Sequence, residues 1–269
     1  MISLKGLSRS QCETVLLLGS GAVQSAWEPV FDALKDRIPC RNADVANAYF
    51  ASLVHKLRWL SLMAARQTSA TAEYESELNH AKNEYTAVTS AIAVALRTQP
   101  LQVHPAGELV REKFLQGRDY LVVTTNWEFS AAKTFQVDHS SSTSSITYLH
   151  GTYSVGLYLP GEVVDEPHRD VNNRGEFFTS ALGTVNALVS ATRLVLYGIS
   201  ISPLDSELGF LLQWANKERD SPFDEVIVVD LDPEPVIKRL KVHLGRQHYL
   251  PVLPDELPTF LLHPSAHGR

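Results

Sequence analysis

The 269-residue chain contains only two cysteines, Cys12 and Cys40. Two thiols build neither a disulfide framework nor a four-cysteine zinc site. No segment approaches the roughly 20 uninterrupted apolar residues that a membrane span needs, so no membrane partner is expected. The opening MISLKGLSRSQCE lacks the apolar run of a signal peptide. The cytoplasm is the expected location. Lysine and arginine form no block, and the net charge is −6. A nucleic-acid footprint would be a basic patch, so direct nucleic-acid binding is not expected. An acidic chain can still act beside a partner that does bind nucleic acid. No internal repeat occurs.

What is present is an alternation of short apolar runs with helical patterns, the signature of a parallel sheet with crossover helices. The runs are Thr14–Leu18, Tyr120–Thr124, Ile146–Leu149, Leu194–Tyr197 and Val226–Val229, with a weaker sixth at His248–Val252, where Pro251 breaks the ladder. They are apolar on both faces, as strands covered by helices on both sides must be. The fold class is α/β, a Rossmann-like doubly wound parallel sheet of about six strands with an inserted helical module.

Between the first two runs the chain reads as helix. Val45, Tyr49, Leu53, Leu57 and Leu60 form one stripe behind Asn42 as cap; Tyr74, Leu78, Ala81, Tyr85, Val88 and Ile92 form a second. The second stripe suits either an interface or an ordinary buried helix. A shorter helix is expected from Pro105 to Gly117. This places the first part of the sheet domain at 1–40, the helical module at 41–117 and the rest of the sheet domain at 118–269. Residues 139–145 read as a polar loop. Residues 152–176 read as a long mobile loop, a lid or a disordered stretch.

The chemistry-bearing residues fall just after the apolar runs. In an open parallel sheet, ligands bind beyond the carboxyl ends of the strands. The first strand leads into Gly19, Ser20, Gly21 and Ala22, then a helix expected over Ser25 to Lys35. Such glycines let backbone N–H groups approach a pyrophosphate. The third glycine of the usual fingerprint is missing, because Gln24 stands there; the alternative is a tight turn without a ligand. The second strand ends in Thr124-Thr125-Asn126-Trp127-Glu128. Asn126 both donates and accepts, which suits a ribose hydroxyl or a water; the alternative is that Thr125 and Asn126 cap the next helix. The third strand ends in Leu149-His150-Gly151-Thr152, where a histidine can act as a general base or be merely structural. The fourth ends in Gly198-Ile199-Ser200-Ile201-Ser202, before a helix expected to start near Pro203, and the fifth in Asp230-Leu231-Asp232-Pro233. Serines there bond phosphate or ribose, or cap a helix; Asp230 can accept from a ribose, and Asp232 makes an ordinary cap.

The ordered set GSGAVQSAW, TTNWE, LHG, YGISISPLD and VVDLDP resembles the sirtuin-type NAD⁺-binding fold, nearest to the zinc-free sirtuin-like domains of bacterial anti-phage defence systems. The resemblance covers roughly residues 14–36 and 120–250. It implies that Gly19, Ser20, Gly21 and Ala22 surround the pyrophosphate and ribose, and that Ser25 and Trp27 match a Ser-x-Trp-like element after that loop. It implies that Asn126 positions the nicotinamide ribose and the attacking water beside Thr125, that His150 is the base, and that Gly198 and Ser200 lie near the adenosine. Asp230 falls near the adenine ribose. Glu128 stands where an aspartate is usual, altering the nicotinamide contact. The zinc cysteines and the Asp-Phe-Arg stretch of protein deacetylases are absent.

The implied activity is hydrolysis of NAD⁺ to nicotinamide and ADP-ribose, with NAD⁺ as substrate and no metal. The implied setting is an NAD-depleting defence effector. The expected partners are further copies of this chain or a protein encoded nearby, for example a helicase-like ATPase or an Argonaute-type protein. Two alternatives stand: a non-catalytic module that senses NAD⁺ or ADP-ribose, and an NAD-dependent protein deacylase.

Overall fold

The computed structural model describes residues 12–66, 71–135, 145–163, 166–169 and 171–260. Its strands, in chain order, are β1 (Thr14–Leu18), β2 (Tyr120–Thr124), β3 (Ser145–Tyr148), β4 (Gly151–Thr152), β5 (Gly156–Leu157), β6 (Arg193–Tyr197), β7 (Glu225–Val229) and β8 (Tyr249–Val252). β4 and β5 form a small antiparallel hairpin, and the other six make one parallel sheet in the order β3-β2-β1-β6-β7-β8. The order runs outward in both directions from the β1–β6 pair, which is the doubly wound Rossmann arrangement. It opens a crevice where the direction reverses.

Register sets what lies at that crevice. Leu18 pairs with both Thr124 and Tyr197, Thr124 with Tyr148, and Tyr197 with Val229. The strands therefore end level, and the loops after β1, β2, β3, β6 and β7 emerge side by side.

The helices are α1 (Glu28–Ala33), α2 (Ala43–Ala65), α3 (Thr71–Thr98), α4 (Ala106–Val110), α5 (Ser130–Phe135), α6 (Val171–Ser190), α7 (Ser206–Glu218) and α8 (Pro233–Leu244). Every position of β1, β2, β6 and β7 is buried. Val15, Leu17, Leu194 and Leu196 face α6, α7 and α8 through Val185, Leu188, Leu211 and Leu240. Leu16, Leu18, Val122 and Val195 face Val110, Phe114 and Phe135 on the opposite side. Each fully buried leucine or valine contributes about 1.5–3 kcal/mol, which is why alternation gives way to continuous apolar runs. Pro251 sits in β8, an edge strand, where its missing N–H leaves no gap in an inner ladder. No helix among the described residues is long and apolar enough to cross a membrane.

The Asn42 side chain caps α2, accepting from Asp44 N at 2.8 Å and Val45 N at 3.1 Å. The expected stripes pack on one another: Leu57 and Leu60 meet Leu78 and Ala81, while Phe50 and Val54 meet Val88 and Ile92. The stripe on α3 is thus a buried helix face within the chain, although Val45 of the first stripe is 36% exposed. The same core takes in Trp127, Leu157 and Leu159, so the helical segment rests directly on loops at the carboxyl edge of the sheet. The helix expected from Pro105 is α4, which widens into a π-type turn over Arg111–Leu115 before Gly117 turns left-handed at φ 73°.

Three expectations are corrected. The helix expected over Ser25 to Lys35 is α1, only Glu28–Ala33. Val23 first bridges to Val103, Gln24 N donates to Gln102 O, and Ser25 sits at φ 52°, so the chain cannot wind sooner. The segment 152–176 is no free loop. It holds the β4–β5 hairpin, a strap tied to α2 and α3, and the first turns of α6. The helix expected near Pro203 is α7, which starts at Ser206 because Asp205, not a serine, caps it. Residues 136–144, most of the polar stretch 139–145, lie outside the described residues, as do residues 1–11.

Candidate functional site

A cavity of about 550 Å³ opens at the carboxyl ends of β1 and β6, within the range of small-molecule sites. Gly19, Ser20 and Gly21 from the β1 loop line it, with Ser25 and Trp27 beyond them. Thr125, Asn126 and Glu128 come from the β2 loop and His150 from the turn after β3. Gly198 and Ser200 follow β6, and Asp230 follows β7. Of the residues to which the resemblance assigns a place, Ala22 alone is not at the wall. It is fully buried beneath the glycine loop, because its short turn folds inward, with Ala22 N donating to Gly19 O.

The glycines serve first to let two loops touch. Gly21 N donates to Gly198 O at 2.8 Å, and a Cβ on Gly198 would lie 2.1 Å from Ala22 N. A Cβ on Gly19 would lie 2.5 Å from Gly198 O. Gly198 also adopts φ 59°, a conformation that strongly favours glycine.

Asn126 is buried at the base of the cleft. Its Nδ2 donates to Gly19 O at 3.2 Å and its backbone N–H to Thr124 Oγ1 at 3.1 Å. The amide is therefore fixed from both ends of one residue, with the β1 loop as its anchor. Trp27 closes one side, its Nε1 donating to Ser20 Oγ at 3.1 Å and its ring stacked on Phe31. Trp127 closes another, donating from Nε1 to Tyr158 O at 3.0 Å.

His150 is buried, and its Nε2 lies 3.4 Å from Asp205 Oδ1. Burial pulls the imidazole down, but Asp205, backed by Glu162 and Glu207, outweighs it and holds the ring above its ordinary pKa. Burial pushes the Asp205 carboxyl up, and the neighbouring His150 outweighs that, leaving it below the usual carboxylate range. Burial and the neighbouring Asp205 charge push Glu207 up to about 7.

Glu128 is turned toward the fold. Its carboxylate accepts from Ser130 N and, at 2.7 Å, from Ser130 Oγ, so it caps α5 in the place where Thr125 or Asn126 was a candidate. Desolvation raises its pKa above the usual carboxylate value. Asp230 accepts from Asp232 N at 3.0 Å; Asp232 occupies the cap position of α8 without a side-chain cap bond. Ser200 is exposed, and its carbonyl accepts from Arg239 Nη1 at 2.7 Å.

The far wall was not legible in the sequence. Ala43, Asp44 and Asn47 of α2 line the cavity, as do Leu96 and Leu101, so the helical segment builds part of the site. Asp205 also lines it, two residues beyond the Pro203 at which the sequence places a helix start. Behind His150, the strap carries a buried ionic knot. Glu162 accepts from Arg169 Nη2 at 2.7 Å and from Tyr85 Oη at 3.1 Å, while Arg58 pairs with the fully buried Glu166 and donates to Gly161 O at 2.8 Å. Burial pushes Glu162 up, yet His168 and Arg169 hold it below its ordinary value.

Among the described residues no lysine or arginine lines the cavity, whereas Glu28, Asp44, Asp205 and Asp230 do. Chemically, the cleft offers a fixed amide, a charge-supported imidazole and a glycine-lined floor at a helix-rich sheet edge. No protein-family model and no curated protein matches the chain.

Proposed function

We propose that the chain binds NAD⁺ in this cleft and hydrolyses its nicotinamide–ribose bond. The observation that carries the reading is that Asn126 and His150, from loops after two different strands, line one cavity with the glycine loop at the switch point of the sheet. The resemblance of the strand-end segments to sirtuin-like defence domains agrees with it. The acidic lining suits a substrate whose reacting end is a cationic pyridinium.

In this reading the bond breaks with its electron pair passing to the pyridinium nitrogen, which leaves as neutral nicotinamide. The leaving group needs no proton, so little acid catalysis is required. The site must hold the ribose, limit bulk water and admit one nucleophile. Asn126 orients the ribose and the water. His150 takes the proton as the water oxygen bonds to the anomeric carbon, giving ADP-ribose.

A permanently active enzyme of this kind would drain cellular NAD⁺, so the activity is gated by self-assembly or by a partner protein encoded nearby, in the manner of a defence effector. The test is incubation of the purified chain with NAD⁺, with and without that neighbour. Nicotinamide and ADP-ribose in equal amounts are expected; intact NAD⁺ in both conditions would contradict the reading.

Two observations favour a second reading, a module that only senses NAD⁺ or ADP-ribose. The Gly21 N–H is already bonded to Gly198, and Glu128 is used in capping α5, so both groups offer less to a reacting substrate. Tight binding without nicotinamide release would support it.

A further inference from the structure

α7 begins at Ser206, and Asp205 is its N-cap, accepting from Leu208 N at 3.2 Å through Oδ1. The turn before it is tightly set. Ile201 takes φ 48°, Ser202 Oγ accepts from Leu204 N at 3.2 Å, and Asp205 N donates to Ser202 O at 2.9 Å. The carboxylate is thus held by its own helix, and the same Oδ1 stands 3.4 Å from His150 Nε2. Both side chains border the cavity. A carboxylate fixed this way imposes one ring orientation and one tautomer on its histidine.

Other charged groups face the ring more weakly. Glu162 reaches it from the strap, but that carboxylate is already paired with the Arg169 guanidinium at 2.7 Å. Glu207 reaches it from α7, and burial keeps it largely protonated below about pH 7. Among the described residues, Asp205 is the carboxylate that lies within 4 Å of an imidazole nitrogen, at 3.4 Å.

We propose that Asp205 is the positioning residue for His150: it accepts the Nε2–H, leaves Nδ1 as the basic nitrogen, and stabilises the imidazolium once a proton is taken. The proposal rests on the NAD⁺-hydrolase reading for what His150 acts upon, while the pairing itself can be measured without substrate.

Asp205→Asn separates the charge from the cap, because asparagine caps helices as well as aspartate does. The experiment is an NMR titration of ¹³C-histidine-labelled protein, with His150→Gln identifying the His150 signal. Asp205→Asn should lower the His150 pKa, and Glu207→Gln should lower it by less. In nicotinamide release, kcat of Asp205→Asn should fall on the order of 10²–10⁴-fold with KM little changed, the acid limb of its pH profile should move down with the pKa, and Asp205→Glu should recover part of the rate.

A His150 pKa unchanged in Asp205→Asn would overturn the proposal, as would a rate equal to the parent's. If Asp205→Asn fails to fold, Asp205→Ser keeps a capping oxygen without the charge, and the same titration decides. Wild-type protein that releases no nicotinamide either alone or with its neighbour, but shows the shifted His150 titration, would overturn the hydrolase reading and leave the pairing standing.

Discussion

The carbonyl of Gly198 accepts the N–H of Gly21 across 2.8 Å, fastening the loop after β6 to the loop after β1 at the point where the sheet reverses direction. Any side chain at 198 would meet Ala22 N at 2.1 Å and would have to take φ 59° as well. Gly198→Ala should therefore cost ~3 kcal/mol or more. Chemical denaturation checks this, and a loss under 1 kcal/mol would mean that the two loops separate easily.

The strap over His150 is tied to α2 by Arg58 and Glu166. Glu166 is fully buried and also accepts from Val163 N at 2.9 Å, whereas Arg58 remains about one third exposed. Because the arginine can recover water, Glu166→Gln should cost about 1–3 kcal/mol rather than the 3–5 of a fully buried pair. The opening should be local: hydrogen exchange should speed up over 158–169 while β1 and β6 keep their protection.

Glu207 carries a carboxyl raised from 4.5 to about 7 by burial beside Asp205. The folded state therefore holds this proton more tightly than the unfolded chain. Its stabilising contribution is complete below pH 4.5 and is lost as pH rises toward 7. Glu207→Gln should raise stability at pH 8 by on the order of 2 kcal/mol and leave it unchanged at pH 4. Thermal melts at the two pH values read the difference directly.

Asn126 and His150 should be separable from the fold. Asn126→Ala should lower nicotinamide release on the order of 10²–10³-fold, and His150→Ala on the order of 10²–10⁴-fold. Circular dichroism should show native helix content in both. Full activity in either variant removes that residue from the mechanism.

Much of this was legible in the sequence for clear physical reasons. Runs such as Tyr120–Thr124 are buried on both faces, so they carry no polar interruption, and the first polar residues after them mark the carboxyl edge where a ligand can sit. The α2 and α3 stripes were legible because 3.6-residue periodicity records which face is covered. What was hidden depends on distant partners. The β1 loop pairs with residues 102–104, which delays α1. The strap looked mobile because its Pro and Gly residues are local signals, whereas Arg58, Tyr85 and Glu162 meet only in three dimensions. Glu128 reads in one dimension as a ligand contact, and only the fold sets Ser130 against it. Asp205 reads as a cap in one dimension and as the neighbour of His150 only in three.

The most direct measurement is the position of the dinucleotide in crystals of Asn126→Ala soaked briefly with NAD⁺, where the missing amide slows cleavage. The anomeric carbon of the nicotinamide ribose is expected between residue 126 and His150, with the pyrophosphate over Gly19 and Ser20. Density for NAD⁺ elsewhere on the molecule, or an empty cleft at saturating NAD⁺, would contradict the account.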